Sequence, residues 1–530
     1  MEKKIIGIVM LTMAIFLLSS CGNNFKEQQI ADYVAQTAGK DIKKVTKDDI
    51  AAIDSIYLNC AESVKDISKF PNISSLTVTD SEIEKWDAVY KTKLKSLELW
   101  NNKGTVDIEK LDKSNLESII LMGDVKNLES LKNAQKLTSV VVWNCAGADF
   151  SFLNELPNLT YLEIVNSEIS DISFVKNMNN LTSLVLSENL ISDISALKNK
   201  MGITLLDLRH NKLTDISALD NIIDLQELDI SQNNITDISP LKELTGLISL
   251  NISSNDIEDI SVLSGLRFLE SVDMAANNIK SISALGNLSS LQEVLVSHNL
   301  IGDVPDNLLK SAYYLDLSAN NIKINNAKFF VLLESNVGDG VSVNLFDNPL
   351  SDGDIKMLEK IESVSFLSNN LPVSAEGYCT YNNVINRIIS GTAGKSNIEK
   401  ISYVYKYLTS ACEKIGTETL ADSLGGYNVI VNKKGTSLDC AEAFASVLRR
   451  MGINSDIYNG DMFDRTETDM KHYWNLAEID GKKCYFDVYC DIGNSVPKYF
   501  GVNDREMSEN GHIMLDYYYG SVTDNIDYAE

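Results

Sequence analysis

An asparagine recurs every 22 residues through the middle of this chain, at Asn189, Asn211, Asn233, Asn255, Asn277 and Asn299. Around each one runs the pattern LxxLxLxxNxIxDI. Weaker turns extend it through Asn102, Asp124, Cys145 and Ser167 on one side and Asn320 on the other. A fixed period of this kind constrains the fold more than composition can, because so short a unit cannot bury its own leucines. Neighbouring units must stack, which predicts a solenoid of many turns with covered ends. Each turn is expected to place a short strand on the concave face. The asparagine is expected inside, satisfying backbone groups where the strand turns. Cys145, standing in that slot, reads as structural.

Several features sit on this framework. Glu98, Glu163, Asp207, Asp229, Asp273 and Asp316 point out of the strands as a loose acidic column. The column reads either as a docking surface for a basic or hydroxyl-rich partner or as a solvated consensus position. His210 and His298 each precede a ladder asparagine and read as repeat-surface residues. The phrases ITDISPLKELTGL and LTSLVLSENLISDISAL resemble the internalin-type class of bacterial leucine-rich repeats.

The period breaks between Asn320 and Leu371, where INNAKFFVLLESNVG is inserted and two irregular turns, NLFDNPL and SFLSNNL, end the array. From Val373 the composition changes. Two helix-like runs, YNNVINRIISG and NIEKISYVYKYLTSACEKI, precede SLDCAEAFASVLRRMGI, a helix with both ends marked. In that helix Asp439 is a capping residue with Glu442 three residues on, and Gly452 is a stop. This reading places Cys440 at the first helical position, where free N–H groups and the dipole favour a thiolate. Cys412 on the preceding helix reads as core.

Downstream, KHYWNLAEIDGKKCYFDVYCD gives two alternating runs around Asp480-Gly481, a strong signal for a two-residue hairpin. In that register Trp474 faces Asp487, and His472 is the diagonal neighbour of Asp487 on the same face. Diagonal neighbours lie roughly 7–8 Å apart, within reach of long side chains. A helix-borne cysteine and a histidine oriented by a carboxylate follow the logic of an acyl-transfer site. With His210 and His298 set aside, His472 and His512 remain, and only His472 has a carboxylate placed beside it by a hairpin.

The run GGYNVIVNKKGTSLDCAEAFASVLRRMGI, then HYWN, YFDV and YFGVNDREM, resembles bacterial transglutaminase-like domains of the papain-like superfamily. The resemblance spans roughly residues 375–520 and implies an α+β domain. It implies Cys440 as nucleophile, His472 as general base and acid, and Asp487 as the orienter of His472. The oxyanion would be held by the Cys440 backbone N–H and a second donor, for which Tyr427 is a candidate by position. Asp439 departs from the family pattern, which usually has a small or apolar residue before the cysteine.

The formal charge of −27 and a sequence pI near 4.6 argue against a nucleic-acid partner, since phosphate binding needs basic clusters. Residues 1–20 read as a processing segment, with Lys3 and Lys4 before an apolar stretch too short to span a membrane comfortably. Leu18-Ser19-Ser20-Cys21 resembles a lipoprotein lipobox, implying a mature chain that starts at a diacylglycerol-modified Cys21. Two acyl chains anchor stably where one is marginal. Of eight cysteines this leaves seven, so at least one thiol is expected free. No CxxC or His/Cys cluster of metal-ligand spacing stands out, so no structural metal and no cofactor is expected.

These readings order the chain as a signal peptide (1–20), a tether and cap (21–49), a leucine-rich-repeat α/β solenoid (50–372) and a transglutaminase-like α+β domain (373–530). The expected product is an extracytoplasmic, membrane-anchored lipoprotein whose repeats hold a protein or glycan near a thiol-dependent acyl-transfer site. An adhesin or scaffold whose C-terminal domain only binds is the alternative.

Overall fold

The computed structural model describes residues 25–308, 312–324, 327–335, 342–368, 371–415, 424–453, 455–462, 470–509, 512–513, 526 and 528. The candidate lipidation site Cys21 lies outside them. The chain divides into two compact units, Met1–Lys136 and Leu137–Glu530.

In the first unit α1 (Gln28–Ala38) ends at Gly39, whose φ of 62° is the left-handed cap that glycine takes without strain. The following helix, α2 (Lys47–Ala51), is opened by Thr46, which exchanges bonds with Asp49 as a capping box. Four parallel strands then begin at Ser55, Ser75, Ser96 and Ser118, with those serines in register. Ile56, Leu76, Leu97 and Ile119 form one buried row across them.

The second unit opens with strands beginning at Ser139, Tyr161, Ser183, Leu205, Glu227, Ser249, Ser271, Glu293, Tyr314, Ser342 and Val364, each parallel to the next. The chain returns from most of them through a short 3-10 turn such as Ser217–Leu219 or Ser239–Glu243. The Asp-Ile-Ser phrase of the repeat opens that turn, because Asp215 and Asp237 each accept from the serine N–H two residues on, at 2.8 Å.

The ladder asparagines lie inside. Asn233 Nδ2 reaches the carbonyls of Leu208, Ile230 and Ser231 at 3.1, 3.1 and 3.0 Å, while its Oδ1 accepts from Leu213 N at 2.9 Å. Each therefore ties one strand end to the repeat before it. The residue ahead of each asparagine adopts a left-handed backbone, from Glu188 (φ 58°) to Ala319 (φ 51°). Where the period fails, the helix Ala327–Ser335 fills part of the insertion and Asn348 takes the ladder slot. Its Nδ2 reaches Leu317 O at 2.9 Å and its Oδ1 accepts from Ile322 N at 3.0 Å. Cys145 is half-buried, and its N–H donates to Ser167 Oγ at 3.2 Å.

After the array come α3 (Ala375–Ser390), α4 (Asn397–Ala411) and α5 (Ser437–Arg450). An antiparallel sheet follows, made of β1 (Ser455–Met462), β2 (Met470–Ile479), β3 (Lys482–Phe486), β4 (Phe500–Val502) and β5 (His512–Ile513). Its strand order is β4-β3-β2-β1-β5. The short helix α6 (Val488–Asp491) leaves β3. Phe444 of α5 packs on Phe486 of β3 (ring centroids 5.4 Å apart), and Tyr405 of α4 meets both Phe444 and Phe500 edge-on. These aromatic rings form the core between helices and sheet.

The last repeats grip α5 directly. Asp347, left-handed at φ 56° ahead of Asn348, accepts from Ser446 Oγ at 2.7 Å, Arg449 Nη1 at 3.1 Å and Arg450 Nη2 at 2.9 Å. Burial alone would raise its carboxyl, but Arg450 and Arg449 outweigh that and hold it below the usual range. Arg449 Nη2 lies 2.9 Å from His298 Nδ1, which must be the acceptor since guanidinium only donates. Burial first, then Arg449, pushes His298 down to about 3. His298 is therefore part of a junction and not a repeat-surface residue. Arg449 and Arg450, which suit a helix C-terminus by sequence, are spent on Asp347. Among the described residues no helix is long and apolar enough to cross a membrane.

Candidate active site

Helix α5 begins earlier than its sequence marks suggest. Thr436 is the N-cap, accepting from Asp439 N at 3.3 Å, while Asp439 Oδ2 accepts from Thr436 N at 2.9 Å. Ser437, Leu438 and Asp439 contain no breaker, so the helix runs back to the next capping residue instead of stopping at Asp439. Cys440 is consequently the fourth helical residue, and its N–H donates to Thr436 O at 3.1 Å. The expected free N–H at the nucleophile, and its use for an oxyanion, are not present. Glu442 has a different task, accepting from Gly426 N at 2.9 Å. Gly426 is needed there, because a Cβ would sit 3.0 Å from Ala443 N.

The hairpin forms at Asp480-Gly481, both left-handed at φ 53° and 81°. The two-residue turn favours such a pair because its twist matches the strands. Asn475 pairs with Phe486 at the end of the ladder, and Asp487 follows as the N-cap of α6. His472 Nε2 lies 2.7 Å from Asp487 Oδ2, and both side chains are buried. The carboxylate is the acceptor, so Nε2 carries the proton and Nδ1 is the nitrogen left to take one. Asn475, three residues along β2, donates to Ala441 O at 3.0 Å and ties the strand to the helix beside Cys440.

Asp487 has more partners than a triad requires. His512 Nε2 lies 2.8 Å from the same Oδ2, and Asp487 Oδ1 caps α6 by accepting from Cys490 N at 2.9 Å. Burial would raise this carboxyl, but His472 and His512 more than offset it and hold it far below the usual range. The Tyr405 hydroxyl lies 2.7 Å from both Asp487 O and Asp491 Oδ2, bracing the backbone that carries the carboxylate. The His472 ring stacks near Trp474, and Tyr489 closes another side with its centroid 5.6 Å from the imidazole. Sequence reasoning set His512 aside, since pairing of β5 with β1, Met462 opposite His512, brings it in from 25 residues beyond Asp487.

Cys440 is 1 % exposed. The neighbouring Cys412 thiol first and burial second push the Cys440 thiol well above its ordinary value, with Asp487 adding to both. Cys440 in turn lowers Cys412. The expectation of a thiolate favoured by the helix start is not met, because Cys440 lies a turn inside the helix and is buried beside another thiol. The structure thus joins His472 directly to Asp487 and places Cys440 within electrostatic reach of Asp487 and Tyr489.

Tyr427 stacks on Tyr381 with ring centroids 6.0 Å apart, its hydroxyl 2.7 Å from where a Cβ would stand on Gly377 of α3. Among the described residues no cysteine forms a disulfide. Within the acidic column Asp207 stands opposite Asp229, whereas Asn251 interrupts it opposite Asp273. Each has a local bond: Asp207 accepts from Arg209 N, Asp229 from Ser231 N and Asp273 from Ala275 N. Burial first, with neighbouring carboxylates adding to it, raises Asp207 and Asp273 to about 6.

Residues 157–199 and 203–243 match the family model for leucine-rich repeats. No curated protein matches the chain. Among solved structures, an internalin from Listeria monocytogenes is 25% identical, with 64% of this chain and 96% of that chain covered at a TM-score of 0.49. A leucine-rich-repeat protein of Leptospira interrogans is 18% identical, covering 58% and 83% at 0.49. The functional domain of InlJ from Listeria monocytogenes is 16% identical, covering 86% and 94% at 0.44. The stacked parallel strands, the satisfied asparagine ladder and the family match agree that the array consists of leucine-rich repeats, with internalins among its structural neighbours.

Proposed function

We propose that residues 373–530 form a transglutaminase-like domain performing thiol-dependent acyl transfer. The repeats would hold its protein or glycan partner on their strand face. The observation that carries this reading is the buried His472–Asp487 pair at 2.7 Å, on a strand that Asn475 ties to the helix beside Cys440. Cys440 attacks a glutamine or peptide carbonyl as its proton passes to His472 Nδ1. The tetrahedral adduct collapses, His472 returns the proton to departing ammonia or amine, and a thioester remains. An amine then gives a cross-link, and water gives deamidation or proteolysis. Asp487 keeps Nε2 protonated, which leaves Nδ1 as the base. In this reading a diacylglycerol on Cys21 anchors the chain outside the cytoplasm.

A second reading is favoured by one observation. Cys440 is buried against Cys412 with its thiol held neutral, as suits a domain that binds and does not catalyse. The repeats would then be the function, in an adhesin or scaffold.

Alkylation separates the two. Iodoacetamide at pH 7, followed by mass spectrometry, is expected to label Cys440 in the native protein and to label it more slowly in His472→Ala. A fluorescent primary amine should also be incorporated into a glutamine-rich protein, and Cys440→Ala should abolish that. If Cys440 resists labelling until the protein is unfolded, the binding-only reading stands.

A further inference from the structure

Acyl transfer uses one histidine on Asp487, yet the structure supplies two, together with a cysteine. One ligand atom each from His472, Asp487, Cys490 (its Sγ) and His512 lie within 4.8 Å of one another. They arrive from β2, the end of β3, α6 and β5, so no local spacing advertises them. The imidazole nitrogens stand 2.7 and 2.8 Å from Oδ2, and Cys490 Sγ is 3.6 Å from His472 Nε2. Ligands around a tetrahedral zinc, bound at roughly 2.0–2.3 Å, are about 3.3–3.8 Å apart, so the two imidazole–carboxylate contacts would open by about half an ångström and the wider pairs would close in to seat the ion.

We infer that these four atoms form a tetrahedral site for a divalent cation of the zinc class. The donor set of two imidazoles, a thiolate and a carboxylate suits a borderline ion and not the hard oxygen-seeking cations. Its charges cancel, since two anionic ligands offset the cation and both imidazoles stay neutral. That makes burial tolerable where an unpaired ion would not be. His472, Asp487 and His512 are buried and Cys490 is half-buried, which gives the ion an approach on the thiol side.

Binding releases one proton, from the Cys490 thiol. Each imidazole moves its own proton from Nε2 to Nδ1 as the Nε2 lone pair goes to the metal. His472 Nδ1 then carries hydrogen and cannot accept one from Cys440. The metal-bound and acyl-transfer states exclude each other, so the inference goes beyond the catalytic reading and does not depend on it.

The test is a titration of the chelator-treated full chain with Co²⁺, then displacement by Zn²⁺. One equivalent of cobalt is expected to give tetrahedral ligand-field bands and a thiolate-to-cobalt charge-transfer band. Cys490→Ser should lose the charge-transfer band, and His512→Gln should weaken binding by roughly tenfold or more, the scale seen even for outer-shell changes. Cys440→Ala should keep the full spectrum while lacking acyl transfer, so failure of either proposal is read separately. No cobalt binding, an octahedral spectrum, or a charge-transfer band unchanged in Cys490→Ser would each overturn the site. Circular dichroism of Cys490→Ser, the least disruptive variant, checks that loss of the band is not loss of fold.

Discussion

The repeat array and the C-terminal domain both bury polar groups, but they satisfy them in opposite ways. In the array a neutral amide is repeated, and each copy serves three carbonyls and one N–H of its own and the preceding turn. At the junction with the C-terminal domain and inside it, the key buried groups are carboxylates that occur once. Asp347 holds two arginines, and Asp487 holds two histidines. A periodic solution spreads its energy over many equivalent sites, so one loss is local. A buried charge depends wholly on its partners, because removing one leaves the others desolvated and uncompensated.

That contrast predicts a ranking. Asp347→Ala should be the most damaging change, costing about 3–5 kcal/mol as Arg449 and Arg450 stay buried without a counter-charge. Urea unfolding followed by fluorescence would measure it. A cost near that of a surface substitution would mean water enters the junction, and the contrast would weaken.

Next comes the ladder. Asn233→Ala strands the Leu213 N–H and takes one of two donors from each of the Leu208, Ile230 and Ser231 carbonyls, at about 1–3 kcal/mol. The same change at Asn255 should cost the same within error. Unequal losses would show that ladder positions are not equivalent.

Smaller still in stability, but sharper for the site, is Cys412→Ala. It removes the first cause of the raised Cys440 thiol, so alkylation of Cys440 at pH 7 should accelerate, by about tenfold for each unit its pKa falls. An unchanged rate would mean burial alone keeps Cys440 quiet.

A pH dependence should also differ between the regions. Asp207 and Asp273 are raised from 3.8 to about 6, so the ionised form is disfavoured on folding. Their contribution is fully present below the unfolded value and is lost as pH rises through about 6. The array should therefore gain stability between pH 7 and 4. Asp347 and Asp487 are lowered, so what they contribute is present above the unfolded value and lost only below it. Thermal melts across this window should be flattened by Asp207→Asn with Asp273→Asn. Asn251 already makes the same bond to Ser253 N at 3.0 Å in the intervening repeat, so the cap survives the change.

Legibility in the sequence followed distance along the chain. The 22-residue spacing foretold where the ladder amides go, because each makes its bonds to its own turn and the one before. Asp480-Gly481 foretold the register that sets His472 against Asp487, because a two-residue turn leaves the strands no freedom to slip. The start of α5 was misplaced by three residues, since Thr436–Asp439 and Asp439–Glu442 both offer a capping pair and only the local backbone chooses.

What sequence alone determined is the repeat architecture, the hairpin register and the pairing of His472 with Asp487, all set by contacts within one turn or one hairpin. Tertiary structure alone decided that His512 joins Asp487, that Cys412 lies beside Cys440, and that Asp347 clasps α5. Those contacts close loops of 25 residues for His512 and Asp487 and 102 for Arg449 and Asp347. No periodicity or turn signal reaches across such loops; only the packing of α5 against the sheet and the last repeats brings their ends together.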